Sequence, residues 1–163
     1  MITDRRAFLG IAGLATAGVL LFGRTTGASA KVTFAVNHTP QQWQQILGAQ
    51  RYHILREAGT ERPFSSPLDH EKRAGVFACA GCKLALFSST TKFDSGTGWP
   101  SFYKPLPNAV GQEDDTSLGM LRSEVHCGRC GGHLGHVFDD GPPPTGQRYC
   151  NNGVALRFIP KTA

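Results

Sequence analysis

The chain has 163 residues, 40% hydrophobic and 18% charged, which is apolar enough for a packed core and argues against a disordered chain. Once Arg5, Arg6, Arg24 and Asp4 are set aside, the formal net charge falls from +5 to +3, and the remaining basic residues are scattered singly, which excludes a nucleic-acid footprint. Twenty glycines and ten prolines imply many turns and favour a β-rich fold.

Residues 1–30 read as an address. Thr3-Asp4-Arg5-Arg6-Ala7-Phe8-Leu9-Gly10 resembles a twin-arginine export signature. An uncharged run from Ala7 to Gly23 follows, shorter than the ~20 residues of a spanning helix. Ala28-Ser29-Ala30 then supplies an A-x-A cleavage site. The expectation is a periplasmic or exported protein with a mature domain over 31–163 and no stable membrane insertion after cleavage. The alternative is a tether by an uncleaved signal.

Lys31 to Val36 alternates and fits a short strand or an extended lead-in. Thr39-Pro40-Gln41-Gln42 has the signature of a helix start: Thr as N-cap, Pro at the first helical position, Gln at the capping-box position. Trp43, Ile46 and Leu47 follow at helical spacing, and Ile54, Leu55 and Ala58 continue it. Gly48 is placed to break the run and Gly59 to end it, which predicts a small helical hairpin. From Gly75 onward the runs are short and apolar or alternating: Val76 to Ala78, Leu84 to Phe87, Leu121 to His126, His136 to Phe138, and Val154 to Ile159. Turn-rich stretches separate them, so antiparallel sheets are expected.

Five cysteines carry the chemistry. Cys79 and Cys82 form one C-x-x-C, and Cys127 and Cys130 form a second. Four thiolates suit tetrahedral zinc, and a closed four-sulfur shell implies a structural site. Gly81, Gly128, Gly131 and Gly132 allow the tight wrap. The competing readings are a redox dithiol, plain disulfides, and a zinc-ribbon binding module. The ribbon fits poorly, because Lys83 to His126 separates the pairs. Export of a folded, zinc-filled protein would also keep these thiols from mispairing in an oxidising compartment.

Cys150 is left over, within Arg148-Tyr149-Cys150-Asn151-Asn152-Gly153. A thiolate is the nucleophilic form, and a neighbouring cation such as Arg148 favours it. If the segment is extended, Arg148, Cys150 and Asn152 share a face, unless Asn152-Gly153 makes a turn. The alternative is a buried, inert cysteine, against which the flanking Arg, Asn and Gly argue. His133 and His136 follow the second knuckle and can move protons near neutral pH or serve as extra metal ligands. Trp99, in the loop Asp94 to Phe102, is either a core residue or an aromatic wall for a soft apolar group such as an S-methyl.

These stretches together resemble the B-type methionine sulfoxide reductases, from about Thr39 to Pro160. The matching pieces are Gly59 to Phe64, Cys79 to Cys82, Thr97 to Phe102, Cys127 to Phe138 and Arg148 to Asn152. The resemblance implies a mainly β fold of two antiparallel sheets, a β-tent, with small peripheral N-terminal helices. It implies reduction of the R epimer of methionine sulfoxide, peptide-bound or free, in the repair of oxidised proteins. Cys150 would attack the sulfoxide sulfur. His133, His136 and Asn152 would bind or polarise the oxygen, and Trp99, with Phe138 and Arg148, would bind substrate. One structural zinc ion would sit apart from the chemistry, and a thioredoxin-like or other thiol reductant would be the partner of a monomer. Two departures stand out. Many family members carry a resolving cysteine where this chain has Thr97, and many have a histidine at Leu118. The rival readings from other classes are a zinc-stapled binding module without catalysis and a dithiol oxidoreductase using one of the C-x-x-C pairs.

Overall fold

A computed structural model describes residues 33–119 and 122–162, apart from the side chain of Leu118. The expected export signal and cleavage site, like the question of what Leu118 changes, lie outside the described residues.

The N-terminal helical segment begins as its sequence predicts. Thr39 caps α1 (Pro40–Glu57), accepting from the Gln42 backbone while the Gln42 side chain accepts from Thr39, so the capping box is complete. Gly48 does break the helix, at φ 70 and ψ 169, so two helical halves meet at one residue. There is no connecting loop, so the arrangement is a kinked run and not a hairpin. The left-handed residue at its end is Ala58, one before the expected Gly59. Trp43, Leu47, Ile54 and Leu55 face inward. Ile46, at the same helical spacing, stays 48% exposed. The lead-in at 33–36 bends at residues 35–36 and forms no strand, and Val36 N–H donates to Arg129 C=O at 3.0 Å.

Nine strands follow among the described residues: β1 (Gly75–Cys79), β2 (Ala85–Ser88), β3 (Lys92–Phe93), β4 (Ser101–Phe102), β5 (Val110–Asp115), β6 (Arg122–Cys127), β7 (His133–Phe138), β8 (Arg148–Asn151) and β9 (Leu156–Pro160). They form two antiparallel sheets, one of order β2-β1-β9 and one of order β3-β4-β8-β7-β6-β5. The expected apolar runs fall on β1, β2, β6, β7 and β9. Val154 and Ala155 instead belong to a 3₁₀ turn (Gly153–Ala155) ahead of β9. β5 escapes hydrophobic patterning because Gln112, Glu113 and Asp114 are exposed on an edge strand, where charge discourages pairing with another chain.

Aromatic rings join the two sheets. Phe87 of β2 stacks on Phe102 of β4 at 4.4 Å between centroids, and Phe77 of β1 meets Phe102 edge-on at 4.9 Å. Tyr149 of β8 lies on the same inner side, 5.9 Å from Phe87. Its neighbours in sequence, Arg148 and Cys150, must therefore face away from this core. Among the described residues no helix is long and apolar enough to cross a membrane.

Candidate active site

The register of three strands builds the site. Cys150 of β8 pairs with Ser101 of β4 on one side and His136 of β7 on the other, and His136 pairs with Glu124 of β6. Directly opposed residues project to the same face. Ser101, Cys150, His136 and Glu124 thus form one row across the outer face of the larger sheet. Arg148 and Phe138 form the neighbouring row on that face. Glycine is required at position 135, where a Cβ would collide with the Cys150 carbonyl as β7 runs against β8.

Cys150 opens into a pocket of about 160 Å³ lined by Trp99, His136, Phe138 and Asn152, with Thr60 and Arg122 at its margins. The indole of Trp99 is half-buried and its Nε1–H donates to Glu61 C=O at 3.2 Å, so Trp99 is a pocket wall and not a core residue. Asn152 caps the 3₁₀ turn, so the strand parity breaks after Asn151. Its Oδ1 accepts from Glu61 N–H at 2.9 Å and its Nδ2 donates to Leu134 C=O at 3.1 Å. Among the described residues the second Nδ2 hydrogen has no protein acceptor, and Asn152 lines the pocket.

The two histidines are placed differently. His136 lines the pocket, and its Nε2 lies 2.8 Å from Asp115 Oδ2. Hydrogen bonds from Ser117, then from His136, hold the Asp115 carboxyl below the usual carboxylate range, so it accepts and Nε2 carries the hydrogen. Burial lowers the proton affinity of His136, with the Asp115 bond opposing. His133 stands one step back, 4% exposed, its ring 5.5 Å from that of His136 and its Nδ1 2.6 Å from Glu124 Oε1. The His133 bond pulls Glu124 below its ordinary value, so this pair too is a carboxylate orienting an imidazole.

Arg148 is also behind the pocket. Nε and Nη2 each donate to Asp140 at 2.8 Å, and the guanidinium lies 4.4 Å over the ring of Phe138. Its charge favours the Cys150 thiolate, as do Thr97 and Ser101, but burial outweighs them and raises the thiol above its ordinary value. Arg148 thus acts in the direction its place in the sequence suggests, but burial acts more strongly on the thiol. A file of hydroxyls approaches it from the Trp99 loop, Ser101 to Ser95 at 2.7 Å, Ser95 to Thr97 at 2.8 Å, and Thr97 Oγ1 to Cys150 Sγ at 3.9 Å.

Sequence reasoning missed Asp115, Glu124, Arg122, Ser95, Ser101 and Glu61. The acids come from polar strands and a loop with no motif of their own. Glu61 lay inside a stretch already singled out, Gly59 to Phe64, as did Ser95 and Ser101 in the loop Asp94 to Phe102 and Arg122 and Glu124 in the run Leu121 to His126.

The four remaining cysteines gather elsewhere, and none lines the pocket of Cys150. Their sulfurs all lie within 4.8 Å of one another, with Cys79 to Cys130 at 3.8 Å and Cys82 to Cys127 at 3.5 Å. Sulfurs about 2.3 Å from a tetrahedral centre stand about 3.8 Å apart, so the cluster fits a metal ion. The knuckles fold alike. Lys83 N–H returns to Cys79 C=O and Gly131 N–H to Cys127 C=O, each from a residue with positive φ, 62 and 64. Because Cys79 ends β1 and Cys127 ends β6, a metal here ties the two sheets together. Arg56 of α1 flanks it, Nη2 3.2 Å from Cys130 Sγ, with its guanidinium 4.1 Å over Trp43.

A family profile described as the SelR domain matches residues 47–160. Curated relatives named peptide methionine sulfoxide reductase MsrB are similar over most of their length. That of Methanosarcina barkeri is 55% identical over 76% of this chain and 88% of its own. Those of Agrobacterium fabrum and Pseudomonas putida are 52% and 53% identical, over 77% of this chain and 93% and 96% of theirs. The chain belongs to the B-type methionine sulfoxide reductase family. The two antiparallel sheets and the clustered cysteines agree with that membership.

Proposed function

We propose that this chain reduces the R epimer of methionine sulfoxide, peptide-bound or free, through Cys150. What carries the reading is one free thiol facing a small pocket, with an aromatic wall on one side and proton-bearing groups on the other. Trp99 and Phe138 offer a soft apolar surface to the S-methyl. His136 and the spare Nδ2 hydrogen of Asn152 face the position of the sulfoxide oxygen. His133 and Arg148 act from behind, His133 on His136 and Arg148 on the Cys150 sulfur.

The thiol enters the reaction protonated. As Cys150 Sγ bonds to the substrate sulfur, the thiol proton passes through His136, whose Nε2–H is held by Asp115, to the sulfoxide oxygen. The oxygen passes to Sγ, methionine leaves, and Cys150 becomes a sulfenic acid. Atoms balance: thiol and sulfoxide give sulfenic acid and thioether. Two thiols from an external, thioredoxin-like reductant then restore Cys150, releasing water and a disulfide. An internal disulfide is not part of the cycle, because position 97 holds a threonine and the other four sulfurs are committed to metal. That metal is zinc, one per chain, on Cys79, Cys82, Cys127 and Cys130. Its closed four-sulfur shell supplies folding energy and no step of the reaction. Residues 1–30 direct twin-arginine export and are cleaved after Ala30, leaving a periplasmic monomer that repairs oxidised proteins.

A stereodefined assay with both sulfoxide epimers tests the reading, with turnover of R and little of S expected. Cys150→Ser abolishes it while leaving metal content intact. Activity surviving in that variant, or preference for S, refutes the assignment. Retention of an Arg5→Lys/Arg6→Lys variant in the cytoplasm tests the route, and its normal export would overturn it.

A further inference from the structure

Glu61 is 8% exposed, the one carboxylate among the buried polar residues described, and it touches neither thiol nor pocket. A buried carboxylate is costly unless its oxygens are satisfied. Here they accept the Gly153 N–H and, at 3.1 Å, the Val154 N–H, the first two donors of the 3₁₀ turn after Asn152. The same residue's backbone N–H holds Asn152 Oδ1 at 2.9 Å, and its C=O holds Trp99 Nε1 at 3.2 Å. One residue therefore pins the two walls of the pocket that come from distant parts of the chain. The apolar wall hangs from its carbonyl. The amide opposite hangs from its N–H, and the turn carrying that amide hangs from its side chain. Among the described residues no cationic side chain pairs with the carboxylate, and the charge of Asp69 acts on it. It is thus not an ion-pair partner; what it does is hold backbone.

We infer that Glu61 is a positioning residue that registers Trp99 against Asn152 and so sets the width of the methyl site. The inference rests on the sulfoxide reductase reading of this pocket. With the sulfoxide oxygen on the Asn152 amide and the S-methyl against the Trp99 ring, a fixed spacing between the two makes the site less tolerant of an extra methylene, so an S-ethyl sulfoxide is the poorer substrate. In Glu61→Gln one oxygen still accepts an N–H, but the amide NH₂ faces the other donor. The turn shifts, Asn152 moves relative to Trp99, and the site loosens.

The test compares methyl and ethyl sulfoxides of R configuration, with rates normalised to the methionine or ethionine released in a single turnover. That normalisation removes any change in folded fraction. One methylene in a fitted pocket is worth about 10-fold or more in kcat/KM in the unaltered enzyme. Glu61→Gln should lose about 10-fold or more on the methyl substrate, as a misplaced contact does. It should lose less on the ethyl substrate, so that their ratio moves by about threefold or more toward ethyl. Glu61→Asp, which keeps the charge but shortens its reach, should show the same direction and carries the test if the glutamine variant does not accumulate. Equal losses on both substrates per active site would mean a purely structural role and overturn the inference. If the unaltered enzyme reduces neither sulfoxide, the reductase reading itself fails; if it reduces the methyl substrate and the ratio does not move, only the role of Glu61 fails.

Discussion

Replacing Thr97 with cysteine should convert this enzyme from one that waits as a sulfenic acid to one that closes an internal disulfide. Thr97 Oγ1 stands 3.9 Å from Cys150 Sγ. A disulfide needs about 2.05 Å, so the introduced sulfur must approach by roughly 2 Å. The loop can yield on one side: Gly96 has φ 69 and open space around it, whereas Gly98 is crowded by Phe64. The bond would join residues 53 apart in sequence, for which chain entropy gives up to about 4 kcal/mol of stabilisation, less any strain in the loop. In a single turnover without reductant, the unaltered enzyme should release about one methionine per chain and then take up one dimedone on Cys150. The Thr97→Cys variant should release the same methionine, bind no dimedone, lose one water and show a disulfide in intact-mass and thiol counting. If the variant still takes dimedone and forms no disulfide, the placement of this loop against the thiol is wrong. If the unaltered enzyme instead couples Cys150 to a knuckle cysteine and releases metal, the account of recycling is wrong.

The raised thiol gives a pH prediction: since burial favours the protonated form, alkylation of Cys150 by iodoacetamide should rise with pH with a midpoint above that of a free cysteine. Arg148→Gln should move that midpoint higher still, and a midpoint at or below the free value would contradict the burial of Cys150. If the proposed metal is bound, Arg56→Ala should release it to a chelator about 10- to 100-fold faster, as expected for the loss of a group bonded to a ligand sulfur, and an unchanged rate would show that Arg56 only packs on Trp43. Phe87→Ala, which empties the stacked position against Phe102, should cost about 3–5 kcal/mol in denaturant unfolding while leaving KM unchanged; a shifted KM would mean that the core ring and the pocket are mechanically coupled.

The local signals were legible in the chain itself. Thr39-Pro40-Gln41-Gln42 started a helix because capping involves groups three residues apart, and Gly48 broke it because only backbone freedom was needed there. The paired C-x-x-C spacings marked four sulfurs for one metal and left Cys150 over, since each knuckle is a short turn whose geometry its own residues dictate. The apolar runs marked most strands, but β5, polar and on an edge, had nothing to bury and so left no pattern. Tertiary structure decided which groups face the thiol and how tightly its proton is held. His133 and His136 look alike in sequence, yet the strand register puts His136 in the row of Cys150 and leaves His133 behind it against Glu124. The arginine two residues from Cys150 suggested a thiolate, but burial, set by the fold around β8, outweighs that charge. Asp115, Glu124 and Glu61 gained roles only when distant segments met. Proton affinity and positioning depend on distances through space and on the loss of water, and a linear spacing encodes neither.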